Sequence, residues 1–534
     1  MKKTEWFDYA PARQPSCGRI IAAAVGMVLL SGVGVAAEKG KAEHVVIMVW
    51  DGLRPDFITE QYTPTLHRLA NQGVFFNRHH PVYISSTEVN GTALITGACP
   101  AHSTIVANNE YRPDIDRHKP IGTQDFDAVE LGDKITGGLY LATPTLTELV
   151  QASGQRTAIA GTKNVALLLD RSQQRLSAAA RASVNFFKGQ VLPPAAMANL
   201  VAANGGNPFP AEITFPNVTQ DAWTTTALTQ GMWKDGVPTF SVLWLSDPDY
   251  TQHNSSPGSP AALGALASAD KNLAALLQAL DKKGVREKTD VLVVSDHGFS
   301  TIGQRLDLVQ LLEQAGFKAT RKLDKPKRGE VLVVGLGGSV ALYVVKHDKS
   351  VTRRLVEYLQ GTDFAGVIFS RISAKGTFPL SAVRLDSPGA PDLVVSLRWS
   401  GTTNEFNAPG VITYDGGKKN KGAHGSLSPY DMHNSLVAAG PDFRSGLVNE
   451  LSSGNLDLAP TIVWILGLKP PAKMDGRVLA ETLVNPPHAA PKAEQMTLDA
   501  TRESAKFQWH QYLKQSRVGS VVYYDEGSGE AVAR

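Results

Sequence analysis

The sequence contains almost no cysteine, and its positive and negative charges nearly balance. Only Cys17 and Cys99 occur in the 534 residues, and Cys17 precedes an N-terminal apolar run. A chain that loses this run keeps one thiol, so no internal disulfide is expected. The formal net charge is +3 and no basic block of five or more residues occurs, which excludes the usual signature of nucleic-acid duplex binding. No internal repeat is present.

The first 37 residues differ from the rest in composition. Arg13 and Arg19 precede the apolar run IIAAAVGMVLLSGVGVAA, which ends in small residues and is followed by the charged EKGKAEH. This order predicts a secretory signal peptide over residues 1–37, cleaved after Ala37, and hence a periplasmic or secreted bacterial protein without a stable membrane span. An uncleaved N-terminal anchor is the alternative, because the run is close to spanning length.

Apolar strands alternate with amphipathic helices through much of the chain. Strand patterns occur at HVVIMVW (His44–Trp50), TFSVLWLSD (Thr239–Asp247) and DVLVVSD (Asp290–Asp296). Between the last two lies ALGALASADKNLAALLQALDKKG, whose apolar residues recur at helical spacing. The alternation predicts an α/β fold with a mostly parallel central sheet and helices on both faces.

Other regions are less clearly patterned. Asn108–Gly138 is polar and predicts a long surface insertion, and Ala178–Pro238 has few strand signals. Several β-rich pieces between Phe317 and Lys419 predict an inserted subdomain. From about Asn485 the composition predicts a polar tail that ends in an amphipathic segment.

Acids and histidines follow the predicted core strands at the point where each strand ends. They are Asp51 in WDG, Asp249 and His253 in DPDYTQH, and Asp296 and His297 in SDHGF. A further histidine, His424 in GAHGS, lies just ahead of the final predicted core strand. Ligands of open parallel sheets bind at the carboxyl ends of the strands. Carboxylates and imidazoles gathered there would repel or desolvate one another, and divalent cations resolve this because both groups are ordinary zinc ligands. Taken singly, an acid after a strand is more often a turn residue, and His424 could be a loop histidine.

These motifs occur in the order of a known family. The blocks are VWDGLRPD, TPTLHRLANQGV, STEVNGTALITGACPAHSTIVANN, DPDYTQH, SDHGF and GAHGS followed by MHNSLVAAGP. Over roughly residues 44–468 the chain resembles the alkaline phosphatase superfamily, in its nucleotide pyrophosphatase/phosphodiesterase (type I phosphodiesterase) branch. The resemblance implies an alkaline phosphatase-like metallohydrolase domain over residues 38–484, with an insertion at about 317–419 and a C-terminal extension over 485–534.

The resemblance also implies a site with two Zn²⁺ ions, which manganese or iron could replace. One ion would be held by Asp249, His253 and His424, and the other by Asp51, Asp296 and His297 together with Thr87. Thr87 would be the nucleophile. From the residues alone, Thr87 could equally be a helix N-cap.

Asn108 matches the family asparagine that donates to a phosphoryl oxygen, although its neighbour Asn109 could take that place. The implied reaction has two displacements through a phosphothreonine, on a small-molecule phosphodiester and without an organic cofactor.

Glu88 departs from the family pattern. Many members have an aromatic residue after the nucleophile, where it can stack on a nucleobase, and a carboxylate offers no such face. Glu88 therefore argues against a nucleotide and for a cationic leaving group, unless Tyr83, Trp223 or Trp244 lines the pocket.

Several alternatives share the scaffold. A phosphomonoesterase, a phosphonate hydrolase and a phosphoryl-group transferase stay open, whereas a sulfatase is disfavoured because SSTEVNG lacks the C/S-x-P-x-R context. No arginine lies near Thr87 in sequence to bind the extra charge of a monoester. A metal-stabilised binding protein is a further alternative. His79, His80, His102 and His433 are predicted to be structural or loop residues.

Overall fold

The computed structural model describes residues 39–172, 183–471 and 474–533. The predicted signal peptide therefore lies outside the described residues. None of the helices in the described segments is long and apolar enough to cross a membrane.

The described segments contain strands and helices throughout. The strands are β1 (His44–Trp50), β2 (Val74–Phe76), β3 (His79–His80), β4 (Asn109–Glu110), β5 (Ile121–Gly122), β6 (Thr157–Gly161), β7 (Val184–Phe187), β8 (Gln190–Leu192), β9 (Phe240–Leu245), β10 (Thr289–Val294), β11 (Ser300–Leu306), β12 (Ala319–Thr320), β13 (Val331–Gly335), β14 (Ser339–Val344), β15 (Ala365–Ser370), β16 (Phe378–Pro379), β17 (Leu393–Leu397), β18 (Trp399–Thr403), β19 (Pro409–Asp415), β20 (Gly422–Ala423), β21 (Leu436–Ala439), β22 (Leu447–Asn449), β23 (Ser453–Gly454), β24 (Ala493–Glu503), β25 (Phe507–Val518) and β26 (Val521–Ala533). The α-helices are α1 (Pro64–Gln72), α2 (Thr87–Thr96), α3 (Pro100–Ser103), α4 (Phe126–Thr136), α5 (Leu146–Ala152), α6 (Ala166–Leu169), α7 (Met197–Ala203), α8 (Val218–Thr226), α9 (Asp249–Asn254), α10 (Pro260–Lys282), α11 (Leu308–Gln314), α12 (Lys349–Gln360), α13 (Pro429–Met432) and α14 (Leu458–Ile465).

The central sheet has nine strands in the order β22-β2-β21-β10-β1-β9-β6-β7-β8. The five pairs β10–β1, β1–β9, β9–β6, β6–β7 and β2–β22 are parallel, and β21 and β8 add antiparallel pairings. Alternate residues of β1 pack into separate cores on the two faces, with Ile47 in one and Met48 in the other. Burial on both faces explains why the strand reads as a continuous apolar run. The predicted α/β fold with a mostly parallel central sheet is confirmed.

Besides two short two-stranded sheets, the described residues form three further sheets, whose strands all follow β10 in the chain. A six-stranded sheet (β12-β13-β14-β17-β15-β16) falls within the predicted insertion at 317–419, and a four-stranded sheet has the order β18-β19-β11-β20. The chain ends in a three-stranded antiparallel sheet, β24-β25-β26. The boundaries of the insertion and the extension stay predictions.

Two weakly patterned regions are more regular than the sequence predicted. Asn108–Gly138 contains α4, whose buried Val129 packs into the main core, rather than only a surface loop. Ala178–Pro238 contains β7 and β8 at the edge of the central sheet, followed by α7 and α8. These elements are short, and their apolar residues are packed by distant parts of the chain, so local periodicity is a poor guide to them.

Candidate active site

Asp51 and Gly52 form the turn at the end of β1. Gly52 has φ = +73°, a conformation that glycine adopts without strain, and its N–H donates to Asp296 Oδ1 at 3.0 Å. The Trp244 indole Nε1 donates to Asp51 Oδ2 at 2.8 Å. The glycine after the acid thus lets the chain turn while its backbone orients a second carboxylate.

Neighbouring strands bring the other predicted ligands to the same edge. β1 lies between β9 and β10 and runs parallel to both, so the residues that follow the three strands meet. The helix α9 begins at Asp249 and places His253 one turn later on the same face. His424 arrives from the loop after β20 and stacks on His297, with ring centroids 3.6 Å apart and planes within 12°.

One buried oxygen of each strand-end aspartate accepts no hydrogen bond in the described part of the chain. Each such oxygen instead faces an imidazole Nε2. The separations are 3.2 Å (Asp249 Oδ1–His253), 3.6 Å (Asp249 Oδ1–His424), 3.1 Å (Asp296 Oδ2–His297) and 3.7 Å (Asp51 Oδ1–His297). Two ligands that share a tetrahedral ion with bonds of about 2.0–2.1 Å lie roughly 3.3 Å apart, so these separations fit bound divalent cations.

The far nitrogens of the three imidazoles support the same interpretation. The contacts are His253 Nδ1 to the Gly422 carbonyl (3.1 Å), His297 Nδ1 to the Gly298 carbonyl (2.9 Å) and His424 Nδ1 to the Ser85 carbonyl (2.8 Å). A carbonyl oxygen only accepts, so each ring carries a proton on Nδ1. This is the outer-shell arrangement that orients a histidine for metal binding through Nε2. The donor set therefore fits metal ions.

The electrostatics of the cluster favour added positive charge. Burial and the neighbouring Asp296 carboxylate raise the pKa of Asp51. Burial lowers the pKa of His297, but the carboxylates of Asp296, Asp51 and Asp249 together outweigh it and raise this pKa to about 9. Carboxylates packed this closely are stable as anions only when cations neutralise them.

Thr87 is the first residue of α2 and is buried. Its Oγ1 lies 3.3 Å from His297 Nε2. The N-cap alternative for Thr87 is wrong, because the N-cap position is taken by Ser86 in extended conformation. At the first helical position the Thr87 hydroxyl faces the carboxylate–imidazole cluster and lies at a helix N-terminus, which attracts anions.

Lys163 is a site residue that the sequence analysis missed. It follows β6, the neighbour of β9, and is buried. Its Nζ lies 2.9 Å from both Asp51 Oδ2 and Asp249 Oδ2, and 3.5 Å from Thr87 Oγ1. The available signal was a lysine placed directly after an apolar strand, in AIAGTK.

Asn108 lies at the mouth of the site. Its Oδ1 accepts from the Glu88 backbone N–H at 3.1 Å, an arrangement that fixes the side-chain amide beside Thr87. Asn108 and Asn109 both line a cleft of about 520 Å³ with His253, His424 and Tyr414. The assignment of Asn108 over Asn109 stays a prediction, although the hydrogen bond to the Glu88 N–H belongs to Asn108.

Glu88 is buried beside the cluster, and one of its carboxylate oxygens has no hydrogen-bond partner among the described residues. Burial raises the pKa of Glu88 to about 7.

None of the three aromatic candidates lines the cleft. Tyr83 is fully buried and its hydroxyl contacts Ser339, Trp223 packs in a separate core, and Trp244 is bound to Asp51. The aromatic residue of the cleft is Tyr414, on β19. Tyr414 comes from the region of the predicted insertion, which no local motif linked to the site.

The predicted ligands converge, with one difference in grouping. The compact groups, whose ligand atoms lie within 4.8 Å of one another, are Asp51–Asp296–His297 and Asp249–His297–His424. His253 joins the second group through Asp249 but is more exposed. His297 therefore stands between the two groups.

The sheet order and the strand-end cluster define an alkaline phosphatase-like α/β fold, and solved structures agree. Human ectonucleotide pyrophosphatase/phosphodiesterase 5 superposes with a TM-score of 0.58 at 17% identity, covering 83% of this chain and 100% of that one. The murine protein, solved as an inactive variant in complex with AMP, gives 0.58 at 16% identity, covering 82% and 99%. At these identities the likeness shows the fold.

The family follows from the sequence itself. The model of the Type I phosphodiesterase / nucleotide pyrophosphatase family matches residues 45–427, and the chain belongs to this family. It is 22% identical over 264 residues to a venom phosphodiesterase of Macrovipera lebetinus, covering 48% of this chain and 26% of that protein. Ectonucleotide pyrophosphatase/phosphodiesterase family member 3 of Bos taurus is 22% identical over 262 residues, covering 48% and 24%. The matches span about a quarter of these curated relatives. The predicted resemblance is confirmed.

Proposed function

We propose that the protein is an exported two-metal hydrolase of phosphodiesters and nucleotide pyrophosphates, with Thr87 as its nucleophile. The observation that carries the proposal is the set of unpartnered carboxylate oxygens, each facing an imidazole Nε2, beside the Thr87 hydroxyl. Family membership supports the reaction class. The AMP complex of the murine structure supports a small nucleotide-like substrate, and Tyr414 supplies in the cleft the aromatic face that Glu88 lacks. The order of basic, apolar and small residues at the N-terminus supports export.

The proposed ligands are those that the structure gathers at the sheet edge. Asp51, Asp296, His297 and Thr87 would hold one zinc ion, and Asp249, His253 and His424 the other. When bound, the ions would supply Lewis-acid stabilisation of the oxygens that gain charge in an in-line displacement.

The chain's own residues account for the rest of the reaction. The deprotonated Thr87 Oγ1 forms a bond to phosphorus while the bond to the leaving-group oxygen breaks. This step leaves a phosphothreonine, which stays esterified when the substrate is a diester. Water then attacks phosphorus, breaks the bond to Oγ1 and restores the threonine. Asn108 would donate from its amide to a phosphoryl oxygen, stabilising that oxygen without adding charge.

One observation favours a second function, phosphomonoester hydrolysis. A monoester carries one more negative charge than a diester, and the sequence showed no arginine near Thr87 to bind it. Lys163 supplies a buried ammonium 3.5 Å from the nucleophilic oxygen. A cation in this position suits the second charge of a monoester dianion.

Substitution of Thr87 tests the proposal. We expect Thr87→Ala to lower kcat/KM for bis-p-nitrophenyl phosphate by more than about 10³-fold, because loss of a nucleophile removes the covalent path. Thr87→Ser should keep activity within about 100-fold, since a hydroxyl remains. Removal of metal with a chelator should abolish turnover, and added Zn²⁺ should restore it.

The matched control is Thr92→Ala in the same helix. The buried Thr92 hydroxyl donates to the Val89 carbonyl and does not face the site. An active Thr87→Ala protein would overturn the proposal. The proposal would also be overturned if the wild type showed no turnover and bound nucleotide with an affinity that Thr87→Ala leaves unchanged. That is the behaviour of a binding protein.

A further inference from the structure

A second group of potential metal ligands lies away from the candidate active site. It consists of His80 on β3, His433 directly after α13, and Asp525 on β26. Their ligand atoms lie within 4.8 Å of one another. The group joins the segment before the nucleophile helix to the C-terminal sheet, and the proposed reaction uses none of its members.

The hydrogen bonds of His80 are unusual for a neutral imidazole. Its Nδ1 lies 3.0 Å from the Ser453 carbonyl, which only accepts, so Nδ1 carries a proton. Its Nε2 lies 3.1 Å from Asp525 Oδ1, a second acceptor. The ring must either carry two protons or share its Nε2 lone pair with a cation that the carboxylate also binds.

His433 supplies the second imidazole. Its Nε2 is buried and has no hydrogen-bond partner in the described part of the chain, and it lies 3.8 Å from Asp525 Oδ1. The ring stands edge-on to His80, with centroids 4.7 Å apart and planes at 87°.

Asp525 is held as a metal-ligating carboxylate commonly is. Its Oδ2 accepts from the Ser516 hydroxyl at 2.8 Å, and its Oδ1 also accepts from Arg78 Nη2 at 3.1 Å. The Arg78 side chain is about one-third exposed (33%), and its Nη2 also donates to Ser516 Oγ at 3.1 Å, so the guanidinium keeps a partner when another cation takes Oδ1.

We propose that His80, His433 and Asp525 form a third metal site, separate from the candidate active site, for Zn²⁺ or a similar divalent cation. Two imidazole nitrogens and one carboxylate oxygen form a common ligand set for zinc. The separations of 3.1 and 3.8 Å bracket the distance of roughly 3.3 Å between ligands of one tetrahedral ion. The bound ion links β26 to β3 and leaves a fourth position to water.

Metal stoichiometry tests the site without any assay of turnover. The full mature chain is stripped with a chelator, dialysed against buffered Zn²⁺ and analysed by mass spectrometry of the metal. The wild type should bind one equivalent more than His433→Ala. The measured quantity is this difference, so it stands whether or not the active-site ions and the proposed reaction are correct.

The matched control is His510→Ala. His510 forms an exposed pair with Asp499 on the same C-terminal sheet, with Nε2 2.8 Å from Oδ1. This variant should bind as much Zn²⁺ as the wild type. Loading with cobalt(II) should give the same difference. The visible d–d absorption of His433→Ala should be weaker than that of the wild type, and that of His510→Ala should equal it.

Equal stoichiometry in the wild type and His433→Ala would overturn the site, as would an equal loss in His510→Ala. Asp525→Asn serves as a second variant and should also lose one equivalent. Circular dichroism of each stripped variant shows whether it is folded. His433→Ala is the primary test because its Nε2 makes no hydrogen bond among the described residues that the substitution would break.

Discussion

The unprotonated nitrogen of a neutral imidazole and a carboxylate oxygen both present lone pairs, so they approach closely only when a proton or a metal ion lies between them. Asp249 and His253 make such an approach one helical turn apart, and Asp296 and His297 make it as adjacent residues. At the residue scale, the function depends on what neutralises these pairs. Lys163 supplies part of the charge from within the chain.

Replacement of Lys163 should separate the two candidate functions. In Lys163→Met the side chain keeps similar length and loses its charge. A hydrogen bond from a charged group contributes about 1.5–3 kcal/mol, which corresponds to roughly 10–100-fold in rate. If Lys163 binds the second charge of a monoester, kcat/KM for p-nitrophenyl phosphate should fall by this factor more than kcat/KM for bis-p-nitrophenyl phosphate.

The control for this comparison is Lys421→Met, since Lys421 Nζ donates to the Asn254 carbonyl just beyond His253 and does not touch the carboxylates. Equal losses on both substrates in Lys163→Met would show that the lysine only supports the carboxylate cluster. A diester preference in the wild type that is unchanged in the variant would also exclude the monoester function.

The sequence made Asp51, Asp296 and His297 visible because they closely follow apolar strands, where charge is conspicuous. Lys163 occupies an equivalent position but escaped notice, since a lysine after a strand is ordinarily solvated. Tyr414 could not be assigned to the cleft from the sequence. It lies far from Thr87 along the chain, and no motif around it indicates that the two residues are close in the fold. Pairing of distant segments sets such contacts.

At the scale of elements, the helix α2, which begins at Thr87, is held at its far end by Asp475. Its Oδ2 accepts from the Cys99 N–H at 2.9 Å and from His102 Nδ1 at 2.7 Å, and its own N–H donates to the Gly97 carbonyl. Burial raises the pKa of Asp475, but these donors lower it further, so the net pKa lies below the ordinary value of 3.8.

Asp475→Asn should therefore destabilise the protein in a pH-dependent way. A carboxyl with a lowered folded-state pKa contributes stability that is complete above its ordinary pKa and is lost as the pH falls through the lowered one. The Tm of the variant should be several degrees below wild type at pH 7, and the gap should narrow as the pH falls below about 4.

Asp499→Asn is the comparison, because it removes the same charge from an exposed pair with His510. It should change Tm little at any pH. A Tm gap in Asp475→Asn that stays constant from pH 7 to pH 3 would contradict the role of the ionised carboxylate.

Elements were predictable where their own residues carry the pattern. The predicted helix between β9 and β10 is α10, Pro260–Lys282, whose N-cap Ser259 accepts from the Ala262 N–H. The C-terminal sheet was not predicted, because β24 is exposed or half-buried along its whole length and presents no strongly apolar face. The strand β24 is held in the sheet by antiparallel pairing with β25. Its strand conformation therefore depends on the residues of β25 rather than on its own pattern.

At the scale of the whole molecule, the cleft lies where two sheets approach each other. The turn between β13 and β14 rests on the active-site loop, since the Gly338 N–H donates to the His424 carbonyl at 2.8 Å. A Cβ on Gly337 would lie 2.1 Å from the same carbonyl oxygen, so only glycine permits this approach. The region of the proposed insertion thereby forms one wall of the cleft, which Gly337 and Tyr414 line.

The most direct test of the proposed function is the mass of the Thr87 peptide after turnover is stopped with acid. With bis-p-nitrophenyl phosphate, one p-nitrophenolate leaves, so Thr87 should carry a p-nitrophenyl phosphoryl group, whereas p-nitrophenyl phosphate should leave a plain phosphoryl group. The Thr87→Ala protein should carry neither adduct. Rapid turnover with an unmodified Thr87 peptide, or with the adduct on another residue, would contradict the assignment of Thr87 as the nucleophile.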